Sequence, residues 1–311
     1  MKIILANPRG FCAGVSRAID VVERVLAVEP HPVYVRHEVV HNIAVVQGLK
    51  EKGAIFVKEL NEVPDYSVCV FSAHGVSEAV KEESKYKKLK IYDATCPLVT
   101  KVHREVQKAS ENGVECILIG HKGHPEVEGT LGQYKHDDGQ IYLVEKVDDV
   151  AALTVKDPTK LIFATQTTLS LDETKDIIMA LKKKYPEMTS PKKEDICYAT
   201  QNRQNAVRAL ARKIDVLLVV GSKNSSNSNR LHELAEAEGV SSYLIDNKDE
   251  INLDWLVNKE VCGVTAGASA PEYLVEQVVK FLQSHFSVAD VINFEGVKEE
   301  VIFPLPKMLK N

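Results

Sequence analysis

The run Ala94-Thr95-Cys96-Pro97-Leu98-Val99 puts a cysteine in a short irregular link and a proline directly behind it, at the head of an amphipathic stretch that ends near residue 110. Proline suits a first helical turn, where no amide proton is needed, so the spacing predicts a helix with Cys96 immediately before it. Two other stretches have the same form. Asn7-Pro8-Arg9-Gly10-Phe11-Cys12 leads into residues 15–26, with Ile19, Val22 and Leu26 at helical spacing. Asp195-Ile196-Cys197-Tyr198-Ala199-Thr200 leads into residues 202–213, with Val207, Leu210 and Ala211 turned inward.

Outward from each cysteine the likeness continues. A strand-like run follows each helix, at 33–35, 116–119 and 216–220, and ends in a loop of small or hydrogen-bonding residues. Those loops hold His41, His124 and Ser225, which lie 29, 28 and 28 residues beyond Cys12, Cys96 and Cys197. Each third then has another strand, at 68–71, 161–164 and 261–264, running into Ser72-Ala73-His74-Gly75, Thr165-Gln166-Thr167-Thr168 and Ala266-Gly267-Ala268-Ser269. His74, Thr167 and Ser269 lie 62, 71 and 72 residues beyond their cysteines; the first third is shorter and keeps the same order.

Strands alternating with helices at this spacing imply crossover units and parallel sheets. The expected fold is α/β: three small pseudo-threefold-related domains, each a mainly parallel sheet flanked by helices, around a central site. The domains expected are 13–95, 96–194 and 195–290, the third joined by an N-terminal strand within 1–12. A strand near Val291 and a tail make up 291–311. In parallel sheets ligand loops gather beyond the carboxyl ends of the strands, so the three cysteines and six loops can face one pocket.

Composition narrows the function classes. Of 311 residues 44% are hydrophobic and 27% charged, which is ordinary for a globular chain. Lysine and arginine total 39 against 44 acids, and no stretch interleaves basic with aromatic residues, so nucleic acid is not an expected partner. Met1 is followed at once by the strand-like 3–6 and then by Pro8 and Gly10, without the apolar region of a signal peptide. No apolar run approaches the roughly 20 residues a membrane helix needs. The expected compartment is the cytoplasm, where six cysteines are core, metal-bound or catalytic rather than disulfide-bonded. Cys69, Cys116 and Cys262 stand inside apolar strand runs and read as core. One cysteine before a helix is also most often core; three at matching positions call for another reason.

Three converging thiolates are a soft ligand set, suited to an iron-sulfur cluster or, with a histidine, to zinc. A cubane cluster with three protein ligands keeps one iron open as a Lewis acid while it delivers single electrons. Helix N-termini beside the cysteines favour thiolates and anionic substrates. The loops are rich in groups that hydrogen-bond phosphate: His41, His74, His124, Ser225, Ser226, Asn227 and Ser269. No Walker or Gly-x-Gly-x-x-Gly motif points to a nucleotide. Glu126, in Gly123-His124-Pro125-Glu126, is a candidate proton donor because the repeat places its loop at the pocket; alone it would read as a first-turn acid favouring its helix dipole. Thr167 is placed to relay or orient that proton. His31, His37, His103, His121, His136, His232 and His285 are expected at the surface or locally bonded, and the lysine-rich 81–90 segment as a solvated face. A zinc hydrolase with Glu126 as general base and a non-catalytic iron-sulfur sensor are the competing readings.

Gly10-Phe11-Cys12-Ala13-Gly14-Val15, Ala94-Thr95-Cys96-Pro97, Gly120-His121-Lys122-Gly123-His124-Pro125-Glu126, Ala164-Thr165-Gln166-Thr167-Thr168 and Gly221-Ser222-Lys223-Asn224-Ser225-Ser226-Asn227 resemble the motifs of the LytB/IspH family. The likeness runs from Asn7 to about Ser269. It implies a [4Fe-4S] cluster held by Cys12, Cys96 and Cys197, with one open iron for the substrate hydroxyl. It implies a diphosphate pocket of His41, His74, His124, Ser225, Ser226, Asn227 and Ser269, and proton delivery by Glu126 assisted by Thr167. The implied reaction is two-electron reductive dehydroxylation of 4-hydroxy-3-methylbut-2-enyl diphosphate to isopentenyl diphosphate and dimethylallyl diphosphate. That is the last step of the methylerythritol phosphate route to isoprenoids, with a ferredoxin or flavodoxin as electron donor. A monomer is expected.

Overall fold

The computed structural model describes residues 1–137, 139–191 and 193–309; Lys310 and Asn311, the end of the expected tail, lie outside the described residues. The first third carries β1 (Lys2–Leu5), α1 (Ala13–Val28), β2 (Val33–Arg36), α2 (Ile43–Glu51), β3 (Ala54–Val57), β4 (Val68–Phe71), α3 (Glu78–Tyr86) and β5 (Lys90–Asp93). There follow α4 (Pro97–Glu111), β6 (Glu115–Ile119), α5 (Pro125–Leu131), β7 (Ile141–Val144), α6 (Val147–Ala152), β8 (Leu161–Thr165) and α7 (Leu171–Lys184). The last third has α8 (Tyr198–Ala211), β9 (Val216–Val220), α9 (Ser226–Ala237), β10 (Ser241–Ile245), β11 (Val261–Ala266), α10 (Glu272–His285) and β12 (Asp290–Asn293).

These strands form three parallel sheets flanked by helices, in two compact units. One unit, Met1–Ser16, Val40–Gly48 and Tyr198–Ile302, holds a sheet in the order β10-β9-β11-β1-β12. Its strand β9 reads Val-Leu-Leu-Val-Val and is buried throughout, the continuous apolar run of a strand covered on both faces. Alternate residues serve the two faces. Ile3, Leu218 and Val264 pack with Val275, Val278 and Leu282 of α10, whereas Ile4, Leu217 and Val219 pack with Leu210 of α8 and Leu231 of α9. The N-terminal strand lies inside this sheet, with Ile3 opposite Cys262 on one side and Val291 on the other.

The other unit, Arg17–Val39, Leu49–Cys197 and Phe303–Asn311, holds the sheets β3-β2-β4-β5 and β7-β6-β8. Ile117, Ile119 and Phe163 meet Ile177 and Leu181 of α7 on one face of the smaller sheet; Cys116, Leu118 and Ala164 meet Val102 and Val106 of α4 on the other. Cys69, Cys116 and Cys262 are fully buried in β4, β6 and β11, as expected. Burial pushes the Cys69 and Cys262 thiols up to about 12 and raises that of Cys116 further, so none of the three is a thiolate near neutral pH.

Of the two placements expected of His103, at the surface or locally bonded, the first does not hold. It shares the inward face of α4 with Val99, Val102 and Val106 and is buried. Burial, and then the Lys81 charge, pull it down to about 4, so it is neutral at pH 7. Among the described residues no helix is long and apolar enough to cross a membrane.

Candidate active site

With the exception of Cys197, every residue singled out from the repeat lies just past the carboxyl end of a parallel strand. The three cysteine loops are fixed by the same backbone bond. Cys12 N–H donates to Ala268 O at 3.2 Å, Cys96 N–H to Ala73 O at 3.0 Å and Cys197 N–H to Thr167 O at 3.0 Å. Each cysteine is thus registered to a residue at or beside Ser269, His74 or Thr167. Their thiols are partly exposed and free of disulfides, unlike the three core cysteines. Cys96 is the N-cap of α4, with Pro97 in its first turn.

In the unit that carries residues 49–197, Glu126 is almost fully buried in the first turn of α5. Thr167 N–H donates to its Oε1 at 2.6 Å, and Thr167 Oγ1 to its Oε2 at 3.0 Å. Burial pushes the carboxyl up to about 7 against the lowering effect of the two Thr167 bonds, and the Asp195 charge adds to the rise. His124 caps α5, its Nδ1 accepting from Glu126 N–H at 3.1 Å, and its ring meets that of His74 edge-on at 5.6 Å. Two glycines allow this approach. Gly75 has φ +76°, and a Cβ there would stand 2.6 Å from His103 Cε1; a Cβ on Gly129 would meet the Gly75 backbone at 3.3 Å. The acid's helix therefore rests directly on the His74 loop.

Asp195, two residues before Cys197, is a buried acid that the repeat does not single out. Its side chain is fully buried, accepting Thr165 N–H on Oδ2 at 2.9 Å and pairing with Lys101 Nζ through Oδ1 at 2.7 Å. The signal for it was an acid two residues before Cys197 in a link otherwise destined for the interior.

In the other unit Ser225 caps α9, and its Oγ lies 3.4 Å from Ser269 Oγ, which donates to His41 O at 2.9 Å. His41, from the first third, therefore sits with the serines of the last third. Asn227 is 5% exposed, and neither Oδ1 nor Nδ2 has a hydrogen-bond partner within the described residues. Ser226 follows the cap in the first turn of α9. Among the described residues no three His, Cys, Asp or Glu side chains gather closely enough to hold a single metal ion.

The family model for LytB protein matches residues 3–283 of the chain. The chain belongs to the LytB family. Within it, a relative from Francisella tularensis subsp. tularensis (strain WY96-3418), named 4-hydroxy-3-methylbut-2-enyl diphosphate reductase, is 64% identical over 310 residues, covering 100% of this chain and 97% of the relative. The solved E-1-hydroxy-2-methyl-but-2-enyl-4-diphosphate reductase of Plasmodium falciparum superposes with a TM-score of 0.95 at 40% identity, over 99% of this chain and 96% of that one. A solved (E)-4-hydroxy-3-methyl-but-2-enyl diphosphate reductase, described as the terminal enzyme of the non-mevalonate pathway, gives a TM-score of 0.65 at 32% identity, over 91% and 100%.

Proposed function

We propose that this LytB-family chain is an iron-sulfur reductase that converts 4-hydroxy-3-methylbut-2-enyl diphosphate to isopentenyl diphosphate and dimethylallyl diphosphate. The reading is carried by the Glu126–Thr167 pair: a buried acid whose carboxyl holds its proton up to about pH 7, on loops bonded to the backbone of Cys197. It is the proton source that removal of a hydroxyl as water requires.

The cysteine chemistry fits the implied cofactor. Cys12, Cys96 and Cys197 are partly exposed, outside any disulfide, and on loops with matching backbone bonds, and they would hold a [4Fe-4S] cluster. When bound, that group supplies single electrons and an open iron for the substrate hydroxyl. The chain's own residues do the rest. Protonated Glu126 gives its proton to the departing hydroxyl oxygen, and the Thr167 N–H and Oγ–H then hold the carboxylate left behind. Two electrons and two protons in all turn the C–O bond into a C–H bond and release water; protonation at either end of the allylic system gives the two products.

His41, His74, His124, Ser225, Ser226, Asn227 and Ser269 would bind the diphosphate. Asn227 supports this best, because a buried amide lacking partners loses roughly 1–3 kcal/mol for each unmet group unless a ligand meets it. A ferredoxin or flavodoxin would supply the electrons to a cytoplasmic monomer. Steady-state turnover of the hydroxylated diphosphate with a low-potential reductant tests the reading: wild-type protein should form both products, and Glu126→Gln should form almost none. A Glu126→Gln rate near that of wild type would remove the acid from the mechanism.

A further inference from the structure

Three cations on three helices grip the cysteine loops in a cyclic order. Arg17, on α1 five residues after Cys12, donates from Nη1 to Thr95 O at 3.1 Å, one residue before Cys96. Lys101, on α4 five residues after Cys96, donates to Lys193 O at 2.8 Å and Glu194 O at 3.0 Å and pairs with the Asp195 carboxylate, just ahead of Cys197. Arg203, on α8 six residues after Cys197, donates from Nη2 to Gly10 O at 2.7 Å and Phe11 O at 3.4 Å, directly ahead of Cys12. Each helix thus serves the cysteine of a different third.

We propose that Arg17, Lys101 and Arg203 are positioning residues, each clamping the backbone just ahead of one of the three cysteines that would hold the iron-sulfur group. Each donates to carbonyls one to four residues ahead of a thiol, where backbone freedom would otherwise let the thiol swing. Charge-assisted bonds of this kind are the strong ones, and their geometry fixes the loop rather than the sulfur. Rigid support around ligands is what keeps a site at productive geometry.

The C-terminal tail belongs to the same device. Glu299 pairs with the buried Arg203 at 3.0 Å and accepts Asn202 Nδ2 on the same oxygen, while Pro304 O accepts Arg17 Nε at 2.9 Å. Two of the three clamps are therefore oriented by residues that lie beyond the repeat.

The inference rests on the cysteine-ligand reading, and its test separates the two. Hydrogen exchange on the anaerobically reconstituted full chain is compared between wild type, Lys101→Met, Lys101→Arg and Arg17→Met. Lys101→Met should lose protection at least about tenfold at residues 193–197, since even one of its three charge-assisted bonds is worth that much, while helix α4 around Lys101 keeps its protection. Its cluster should pass to an iron chelator about tenfold faster, with Lys101→Arg restoring most of both effects. Arg17→Met should loosen residues 94–96 instead. Exchange that changes only around Lys101 itself, or a loosened 193–197 with no change in cluster loss, would overturn the proposal. Wild-type protein that takes up no cluster would refute the ligand reading, while the exchange pattern would still decide whether the clamps exist.

Discussion

The loops around Glu126 and those around Asn227 occupy equivalent places beyond the carboxyl ends of their own sheets, yet they are built from different materials. Around Glu126 stand titratable groups: a buried carboxyl, His124 capping its helix and His74 edge-on to His124, with both carboxylate oxygens already bonded to Thr167. Around Asn227 stand the hydroxyls of Ser225 and Ser269, with His41 beside them, and the Asn227 amide itself, whose polar atoms have no partner within the described residues. Both Glu126 oxygens are met by Thr167, whereas neither polar atom of Asn227 is met within the described residues. In the proposed function Glu126 moves a proton while Asn227 recognises an anion, and that contrast can be broken one residue at a time.

The largest effect lies upstream of both sets. Cys197→Ser should fold, by circular dichroism, but fail to retain a full complement of iron and sulfide, and so lose all turnover. Glu126→Gln comes next: kcat should fall about 10²–10⁴-fold with KM nearly unchanged, since the amide keeps the shape and removes the acid. In wild type the rate should fall as pH rises through about 7, where Glu126 gives up its proton, and this limb should vanish in the variant.

Asn227→Ala should act in the opposite sense, raising KM about tenfold or more while kcat stays nearly level, because hydrogen bonds to a charged ligand are worth about 1.5–3 kcal/mol. A fall in kcat alone would place Asn227 with the proton chemistry and end the division. Thr167→Val should have the smallest effect, costing kcat several-fold. With one stabilising bond to the carboxylate gone, the Glu126 pKa should rise, moving the alkaline limb of the pH–rate profile to higher pH.

Much of this was legible because the informative residues repeat. A cysteine before each of three helices, a polar loop 28 or 29 residues later and apolar strands between them give both the sheets and the candidate loops. The same contrast separated Cys69, Cys116 and Cys262, inside apolar runs, from the three at helix starts. What stayed hidden depends on contacts distant in sequence. Arg17, Lys101 and Arg203 look like solvated charges on amphipathic helices, and only the carbonyls they reach tell otherwise. Val40–Gly48 joins the unit built from the last third, which nothing in its own sequence signals. His103 could have been found: with Val99, Val102 and Val106 it falls on one helical stripe, and the periodicity outweighs the usual exposure of histidine.

The central claim, an iron-sulfur site with one iron open to an allylic diphosphate, is met most directly by Mössbauer spectroscopy on anaerobically prepared, iron-57-labelled protein with and without 4-hydroxy-3-methylbut-2-enyl diphosphate. The expected result is a four-iron spectrum in which one iron changes when the substrate is added. A cluster with no iron altered by substrate, or protein that takes up no iron-sulfur cluster under reconstitution, would contradict it.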